Sequence, residues 1–488
     1  MNGAQLILAA LLVPFLGAGC VALCGRRPNL REAATLATSA LLLGCVAGLL
    51  PQVLAGARPR LELLEPLPGL PVAFEVEPLG MLFALIASGL WIVNSVYSIG
   101  YMRANRESGQ TRFYVCFALA LGAAVGIAFA ANLITLFLFY EILTLVTYPL
   151  VTHHGSEDAK RGGRVYLGFL IGTSILFLLP AIVFTWHVAG TTAFRPGGIL
   201  AGRLTQAGTV ALLALFMFGI GKAALMPVHR WLPAAMVAPT PVSALLHAVA
   251  VVKAGVFSVV KIIVCIFGLG ALAGLTGWLV ALAGFTILAA SVVALRADNL
   301  KRRLAYSTVS QLSYVVLGAA LLAPLSVVGA VFHVAAHALG KITLFFAAGS
   351  IYTAAHKTEV SQLDGIGRRM PWTMGAFAIG ALSMIGLPPA AGFVSKWYML
   401  SGAMAQAQWL AVAVIAGSTL LNAGYFLPIV HRAFFRAPPA ASVGGEAPHG
   451  EAPLPMVVAL CLTAAGTVAL FLLPGVPLAL ARQLLVTP

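Results

Sequence analysis

Apolar runs of roughly 20 residues recur along this chain from one end to the other, and each is long enough to cross a bilayer. A length of 488 residues would otherwise suggest about three soluble domains. The composition overrules that, with 60% hydrophobic and 9% charged residues against about 25% charged in soluble domains. The hydropathy predicts an all-α membrane protein with about fourteen spans. Approximate positions are 4–24, 33–55, 79–101, 113–130, 133–152, 165–187, 208–230, 240–267, 271–295, 303–322, 325–352, 373–402, 407–430 and 455–480. The first run, QLILAALLVPFLGAGCVALC, has no basic residue before it and a further run close behind. It reads as a retained span rather than a secretory leader.

The net charge of +15 is explained by loop topology, not by nucleic acid. One set of alternate loops carries Arg26, Arg27, Arg31, Arg103, Arg106, Arg112, Lys160, Arg161, Arg164 and Arg230. It continues with Arg296, Lys301, Arg302, Arg303, Lys357, Arg368, Arg369, Arg432 and Arg436. The other set carries only Arg58, Arg60, Arg195, Arg203 and Arg482. The positive-inside rule makes the first set cytoplasmic. An inner-membrane protein with both termini on the periplasmic side is therefore expected.

The remaining basic residues fall inside spans, and all five are lysine: Lys222, Lys253, Lys261, Lys341 and Lys396. The chain has 21 Arg and only 8 Lys, so chance would have favoured arginine. A buried lysine can release its proton, whereas arginine stays charged. Glu141 is the one acidic residue placed inside a span. Ionisable groups at that depth cost at least about 2.5–3.5 kcal/mol each and mark pathways or relays. A set of structural ion pairs is the plain alternative, but one glutamate cannot pair five lysines.

In FHVAAHALGKITLFF, His333, His337 and Lys341 follow one another at intervals of four. On a helix this stripe drifts by about 40° and climbs by about 6 Å per step, which makes a ladder about 12 Å tall. Imidazoles exchange protons near neutrality, so a water-lined proton path is expected. A metal site is the other sharp option for His at i and i+4, but no carboxylate accompanies the pair. Prolines 227, 233, 239 and 241 interrupt the stretch after Lys222, and Pro388 and Pro389 precede Lys396. Such breaks inside a bilayer need protein or water to satisfy the freed backbone. No CxxC pair, iron–sulfur spacing, phosphate loop, dinucleotide fingerprint or serine elbow is present, and Cys20 and Cys24, which share a helix face, read as packing. The chain carries no redox ligands or catalytic motif of its own, and no cofactor or metal is expected. If electrons move nearby, another subunit carries them.

Several stretches together resemble the antiporter-like membrane subunit family: FYEILTLVTYPLV, GKAALMPVHRWLPAAMVAPTPVSALLHAVAVVKAG, LKRRLAYSTVSQLSYV, HVAAHALGKITLFFAAGSI and LPPAAGFVSKWYML. That family includes the D subunit of Mrp-type cation/proton antiporters and the proton-pumping membrane subunits of respiratory complex I and membrane-bound hydrogenases. The resemblance implies fourteen helices with two inverted five-helix repeats, at 113–267 (helices 4–8) and 271–435 (helices 9–13), with helices 7 and 12 broken. Helices 1–3 fill 1–112, and a last helix follows in 455–488. It also implies that Glu141 pairs with Lys222 and that Lys253 carries the path on. His333, His337 and Lys341 form the central relay, Lys396 is terminal, and His229 and His247 are accessory candidates. Other membrane subunits, protons, monovalent cations such as Na+ and the lipid bilayer are the expected partners. The chain closes soon after the last span, without a long lateral helix, which favours the Mrp D-like or hydrogenase-like branch or a shorter complex I subunit. A scaffold subunit or a lone solute transporter are the readings from other classes.

Overall fold

The computed structural model describes residues 2–438 and 450–485. Among these, eleven helices are long and apolar enough to cross a membrane. Two shorter apolar helices, Gln206–Gly219 and Pro371–Ile385, lead into the two breaks. The protein is predominantly helical. Prolines at first-turn positions start many of the long helices, including those at Pro28, Pro78 and Pro324. There the missing N–H is not needed and the fixed φ suits the helix. Elsewhere side chains cap the first turn: Asn132 accepts from the Thr135 amide at 2.8 Å, and Asn299 from the Arg302 amide at 3.0 Å.

Helix ends gather at two faces. On one, the antiparallel strands β1 (Arg60–Leu67) and β2 (Leu70–Glu75) form a hairpin. It is tied to the helix bundle where the Ala131 amide donates to the Ala73 carbonyl at 3.0 Å. The Gln483 amide donates to the Leu54 carbonyl at 2.9 Å on the same face. The opposite face holds the basic clusters. There Arg31 reaches Gln110 at 2.6 Å, Arg112 donates to the His153 carbonyl at 2.9 Å, and Arg432 meets Asp364 at 3.0 Å. The chain ends themselves, Met1 and 486–488, lie outside the described residues.

The hairpin adds a small strand pair to the helical architecture. Its signal was the alternation of Val72, Phe74 and Val76 after the turn at Gly69, where φ is +80°. Glu32 also lies within a helix, because Pro28–Leu54 starts five residues before the expected edge. Its carboxylate meets Arg103 at the basic face. The span expected at 165–187 extends back to Glu157, which puts Lys160, Arg161 and Arg164 on its first turns.

Three helices position the site. The first is Leu133–Val151, which carries Glu141. Next is Thr240–Phe267, carrying His247, Lys253 and Lys261 and wholly buried. The last is Pro324–Ala355, carrying His333, His337 and Lys341. This histidine helix packs against Leu300–Ala320, Pro371–Ile385, Ala391–Ala405 and Leu454–Leu472. Leu300–Ala320 is not apolar enough to count as a span by hydropathy, yet every residue from Ser307 to Ala320 is buried.

Candidate functional site

Lys222 lies just past the helix Gln206–Gly219, in a tight 3-10 turn, and is 0% exposed. Its ammonium donates to the Tyr140 carbonyl at 2.8 Å and the Thr144 hydroxyl at 2.5 Å, and sits over the Tyr140 ring. Tyr140 also accepts from the Lys222 amide through its hydroxyl at 3.1 Å. Neighbouring Glu141 makes no ion pair or hydrogen bond among the described residues, although both of its oxygens are buried. Lys222 and the Ser174 hydroxyl are its electrostatic neighbours. Ser174 opens a π-helical turn, Ser174–Leu178, of the kind that redirects side chains at functional sites. The expected glutamate–lysine contact is thus held apart: the backbone and hydroxyl of the glutamate's own helix take the ammonium.

Gly255 lets the helix bearing Lys253 lie directly on this turn. A Cβ there would stand 2.3 Å from the Lys222 carbonyl carbon. Lys253 is 1% exposed, and its amine bonds the Nδ1 of His337. An ammonium has three donors, and with one partner this is the least hydrogen-bonded of the site's lysines among the described residues. His333 Nδ1 lies 2.8 Å from the Ser395 hydroxyl, which itself donates to the Gly392 carbonyl at 2.9 Å. Ser395 therefore accepts from Nδ1–H, and the Nε2 of a neutral His333 is a bare acceptor. A neutral His337 that accepts from Lys253 carries its proton on Nε2. Both Nε2 atoms are buried without a partner, and the rings are 5.9 Å apart. The stripe thus holds one unpartnered donor and one unpartnered acceptor on neighbouring rings. Those same contacts use both Nδ1 atoms and set an ammonium beside one imidazole, which opposes a metal cation there.

Lys341, 0% exposed, donates to the Leu304 carbonyl at 3.2 Å and the Ser307 hydroxyl at 2.8 Å. The Tyr425 hydroxyl stands between Ser307, at 3.0 Å, and the Asn422 carbonyl oxygen. Asn422 in turn donates to the Met384 carbonyl at 3.3 Å. The same carbonyl accepts from Lys396 at 3.0 Å and Gln311 at 3.3 Å. Lys396, 5% exposed, also donates to the Ile385 carbonyl at 2.9 Å and lies 4.6 Å from the Tyr314 ring centre. Tyr314 flanks His333 as well, at 5.8 Å. Gly386, with φ +91°, ends the half-helix and leaves room for the lysine stem, since a Cβ would sit 2.6 Å from Lys396 Cδ. A polar chain of six residues' groups therefore joins Lys341 to Lys396 through an interior that is otherwise apolar.

Among the described residues, the accessory candidates make no hydrogen bond to this axis, although His247 is near enough to His337 and Lys341 to feel their charge. His247 is wholly buried on the π-helical turn Leu245–Val249, against Phe345 at 4.9 Å, with neither ring nitrogen partnered. His229 is half-buried in the first break, 6.2 Å from Tyr306. Lys261, left without a role by the sequence, lies at the hairpin face against Glu77.

Sequence reasoning missed the hydroxyl and amide groups that link the lysines: Tyr140, Thr144, Ser307, Gln311, Tyr314, Ser395, Asn422 and Tyr425. Their signal was helical spacing within apolar runs. Tyr140 and Thr144 are four apart, as are Ser307 and Gln311, while Asn422 and Tyr425 are three apart.

Comparison with known proteins adds the following. The family described as NADH:quinone oxidoreductase/Mrp antiporter, TM, matches residues 130–422. NADH-quinone oxidoreductase subunit N of Desulforudis audaxviator is 34% identical over 411 residues, covering 81% of each chain. A probable K(+)/H(+) antiporter protein of Rhizobium meliloti is 32% identical over 94% of this chain, which spans 46% of that protein. Among solved structures, a chain of the Mrp complex from Dietzia sp. superposes with a TM-score of 0.87 at 23% identity, covering 99% of this chain and 97% of the other. A chain of an archaeal membrane-bound sulfane sulfur reductase gives 0.85 at 22% identity, covering 99% and 98%. At those identities the structural likeness speaks for the fold.

Proposed function

The chain belongs to the NADH:quinone oxidoreductase/Mrp antiporter family as an antiporter-like, multi-pass membrane subunit, and from that premise we propose that it translocates protons as the D-like subunit of an Mrp-type monovalent cation (Na+)/proton antiporter. The buried succession Lys222, Lys253, His337, His333, Lys341 and Lys396 carries this reading. Five of these six are below 2% exposure, and only Glu141 offers a carboxylate among them. So many cationic groups at membrane depth are not explained as static pairs.

In this reading Glu141 sets the charge state of Lys222 by its distance, since opposite charge favours the ammonium and desolvation opposes it. A shift of Glu141 toward Lys222 loads the lysine, and separation unloads it toward Lys253. The Lys253–His337 contact passes the proton to Nδ1 while His337 gives up the one on Nε2. One water between the two Nε2 atoms closes the link to His333. Water beside Tyr314, which flanks both His333 and Lys396, connects the stripe to Lys396 and an exit, while the Ser307–Tyr425–Asn422 chain holds Lys341 and the Met384 carbonyl in place. The basic face is cytoplasmic in an inner membrane. The broken helices and Leu300–Ala320 count as spans, which gives fourteen. The segments 113–267 and 271–435 are two inverted five-helix repeats, each with one lysine at a break. Partner subunits of an antiporter assembly supply the movement that changes the Glu141–Lys222 distance.

Proton and sodium fluxes in sealed vesicles, with and without an electron donor, test this. Sodium-dependent proton flux without a donor, lost in Lys222→Ala with assembly intact, is expected. Normal flux in that variant refutes the route. Flux that needs the donor supports instead a complex I-type or hydrogenase-type subunit, which the 34% likeness to a subunit N favours. Loss of assembly alone, across single Lys and Glu replacements, identifies a scaffold.

A further inference from the structure

Lys261 is the one intramembrane lysine outside the proton axis, and its surroundings form a cation cage. Its ammonium lies 2.5 Å from Glu77 Oε1, donates to the Ala130 carbonyl at 2.8 Å and rests 4.2 Å from the centre of the Phe194 ring. It is 1% exposed. The cage is built by three separate parts of the chain. Glu77 precedes the helix Pro78–Ala104, Ala130 lies in the turn between two helices, and Phe194 is held by the bond from its amide to the Ala131 carbonyl at 3.0 Å.

Glu77 and Phe194 also line a cavity of about 480 Å3 at the hairpin face. Arg58, Glu75, Glu77, Phe194, Cys265 and Gln483 are among its lining residues. Two oxygens there are buried without a directed donor: Glu77 Oε1, which meets the ammonium by charge alone, and Gln483 Oε1. Glu75 stands close enough to Glu77 and Lys261 to feel both charges; burial first, then Glu77, holds its carboxyl above the usual range. A carboxylate, a peptide carbonyl, an amide oxygen and an aromatic face are the donors an ammonium or a small monovalent cation accepts. A divalent ion asks for six or more oxygens, often with several charges. Exchange of one monovalent cation for one ammonium leaves the net charge of the cage unchanged.

We propose that Glu77 and the Ala130 carbonyl, with the face of the Phe194 ring, form a monovalent-cation site at the hairpin face, occupied in this structure by the Lys261 ammonium as a tethered competitor. The site goes beyond the proton axis, and its occupancy is read by binding, without transport, so its failure and that of the antiport reading are separable.

The test uses the full-length chain purified in detergent. Sodium or potassium is titrated at constant ionic strength made up with choline, with thermal stability and equilibrium binding of radioactive cation as readouts. Lys261→Met removes the competitor and is expected to tighten binding about tenfold. Glu77→Gln abolishes it. Lys261→Arg, which preserves the ion pair and so guards against misfolding of the other variants, binds no tighter than the parent. The proposal is overturned if Lys261→Met and the parent respond alike, if Glu77→Gln retains saturable binding, or if choline stabilises as well as sodium and potassium. Should Lys261→Met not fold, binding by Lys261→Arg tighter than by the parent overturns it, and weaker or equal binding that Glu77→Gln removes supports it. Arg58, Arg60, Glu75 and Cys265 are the other charged or titratable groups around the pair, and all are left in place.

Discussion

At the first break the lysine comes before the prolines and reaches across to another helix. At the second it follows them and reaches back to the half-helix just ended. Lys222 is held by the Tyr140 carbonyl and Thr144 hydroxyl, with Glu141 nearby on the same foreign helix. Lys396 is held by the Met384 and Ile385 carbonyls, released at the C-terminus of Pro371–Ile385. A helix C-terminus carries partial negative charge, so the second site holds its cation without any carboxylate. The first depends on a contact between two helices that can shift; the second is furnished by its own fold. One is suited to switching, the other to receiving.

That contrast is open to attack by substitution. The largest effect is expected for Glu141→Gln, with proton flux in reconstituted vesicles down by about 10²-fold or more, the scale of a positioned proton-transfer group. An unchanged flux would erase the distinction between the breaks. Thr144→Val should follow. Loss of a hydrogen bond to a charged group costs about 1.5–3 kcal/mol, read as a fall in unfolding free energy, whereas Ser395→Ala, between neutral partners, should cost about 1 kcal/mol. Equal costs would mean that Lys222 is no more dependent on its neighbour than His333 is. Asn422→Ala cuts the link from Tyr425 to the Met384 carbonyl and is expected to slow flux about tenfold while Lys396 keeps its carbonyls.

The smallest effect lies outside both breaks and serves as their control. At the basic face His154 Nε2 sits 3.3 Å from Glu107, and that hydrogen bond holds the imidazole above its ordinary 6.5. A folded-state value above the unfolded one stabilises below about pH 6.5, and the contribution fades as pH rises through the raised value. The thermal midpoint should therefore carry a small term that is present at acid pH and is lost as pH rises above about 6.5. His154→Gln should remove that term and leave the pH dependence of flux untouched. Buried His153 beside it is pushed down instead, mainly by desolvation, so it contributes in the opposite sense and persists in the variant.

Much of the scaffold was legible because the bilayer demands apolar runs. The span expected at 240–267 is observed as Thr240–Phe267, and that at 133–152 as Leu133–Val151. Errors fell where composition says little about geometry. Pro28 starts a helix early and brings Glu32 inside it, and a six-residue strand hid behind Pro71. The charged members of the site stood out by being charged. Their linkers did not, because Ser307 or Asn422 draws no notice until its neighbour is known. The placement of the Lys222 ammonium on Tyr140 and Thr144, rather than on Glu141, could not be read from spacing at all. It depends on how two distant segments meet at Gly255.

The helix Leu300–Ala320 has a consequence for how this protein is made. It is lined with Ser307, Thr308, Ser310, Gln311 and Ser313, and it opens on Lys301, Arg302 and Arg303. Alone, such a segment would partition poorly from the translocon into lipid. It finds shelter only once Gly277–Arg296 before it and Pro324–Ala355 after it stand alongside, since it packs closely on both. Biogenesis must therefore keep this part of the nascent chain waiting until its neighbours emerge, and insert the group together.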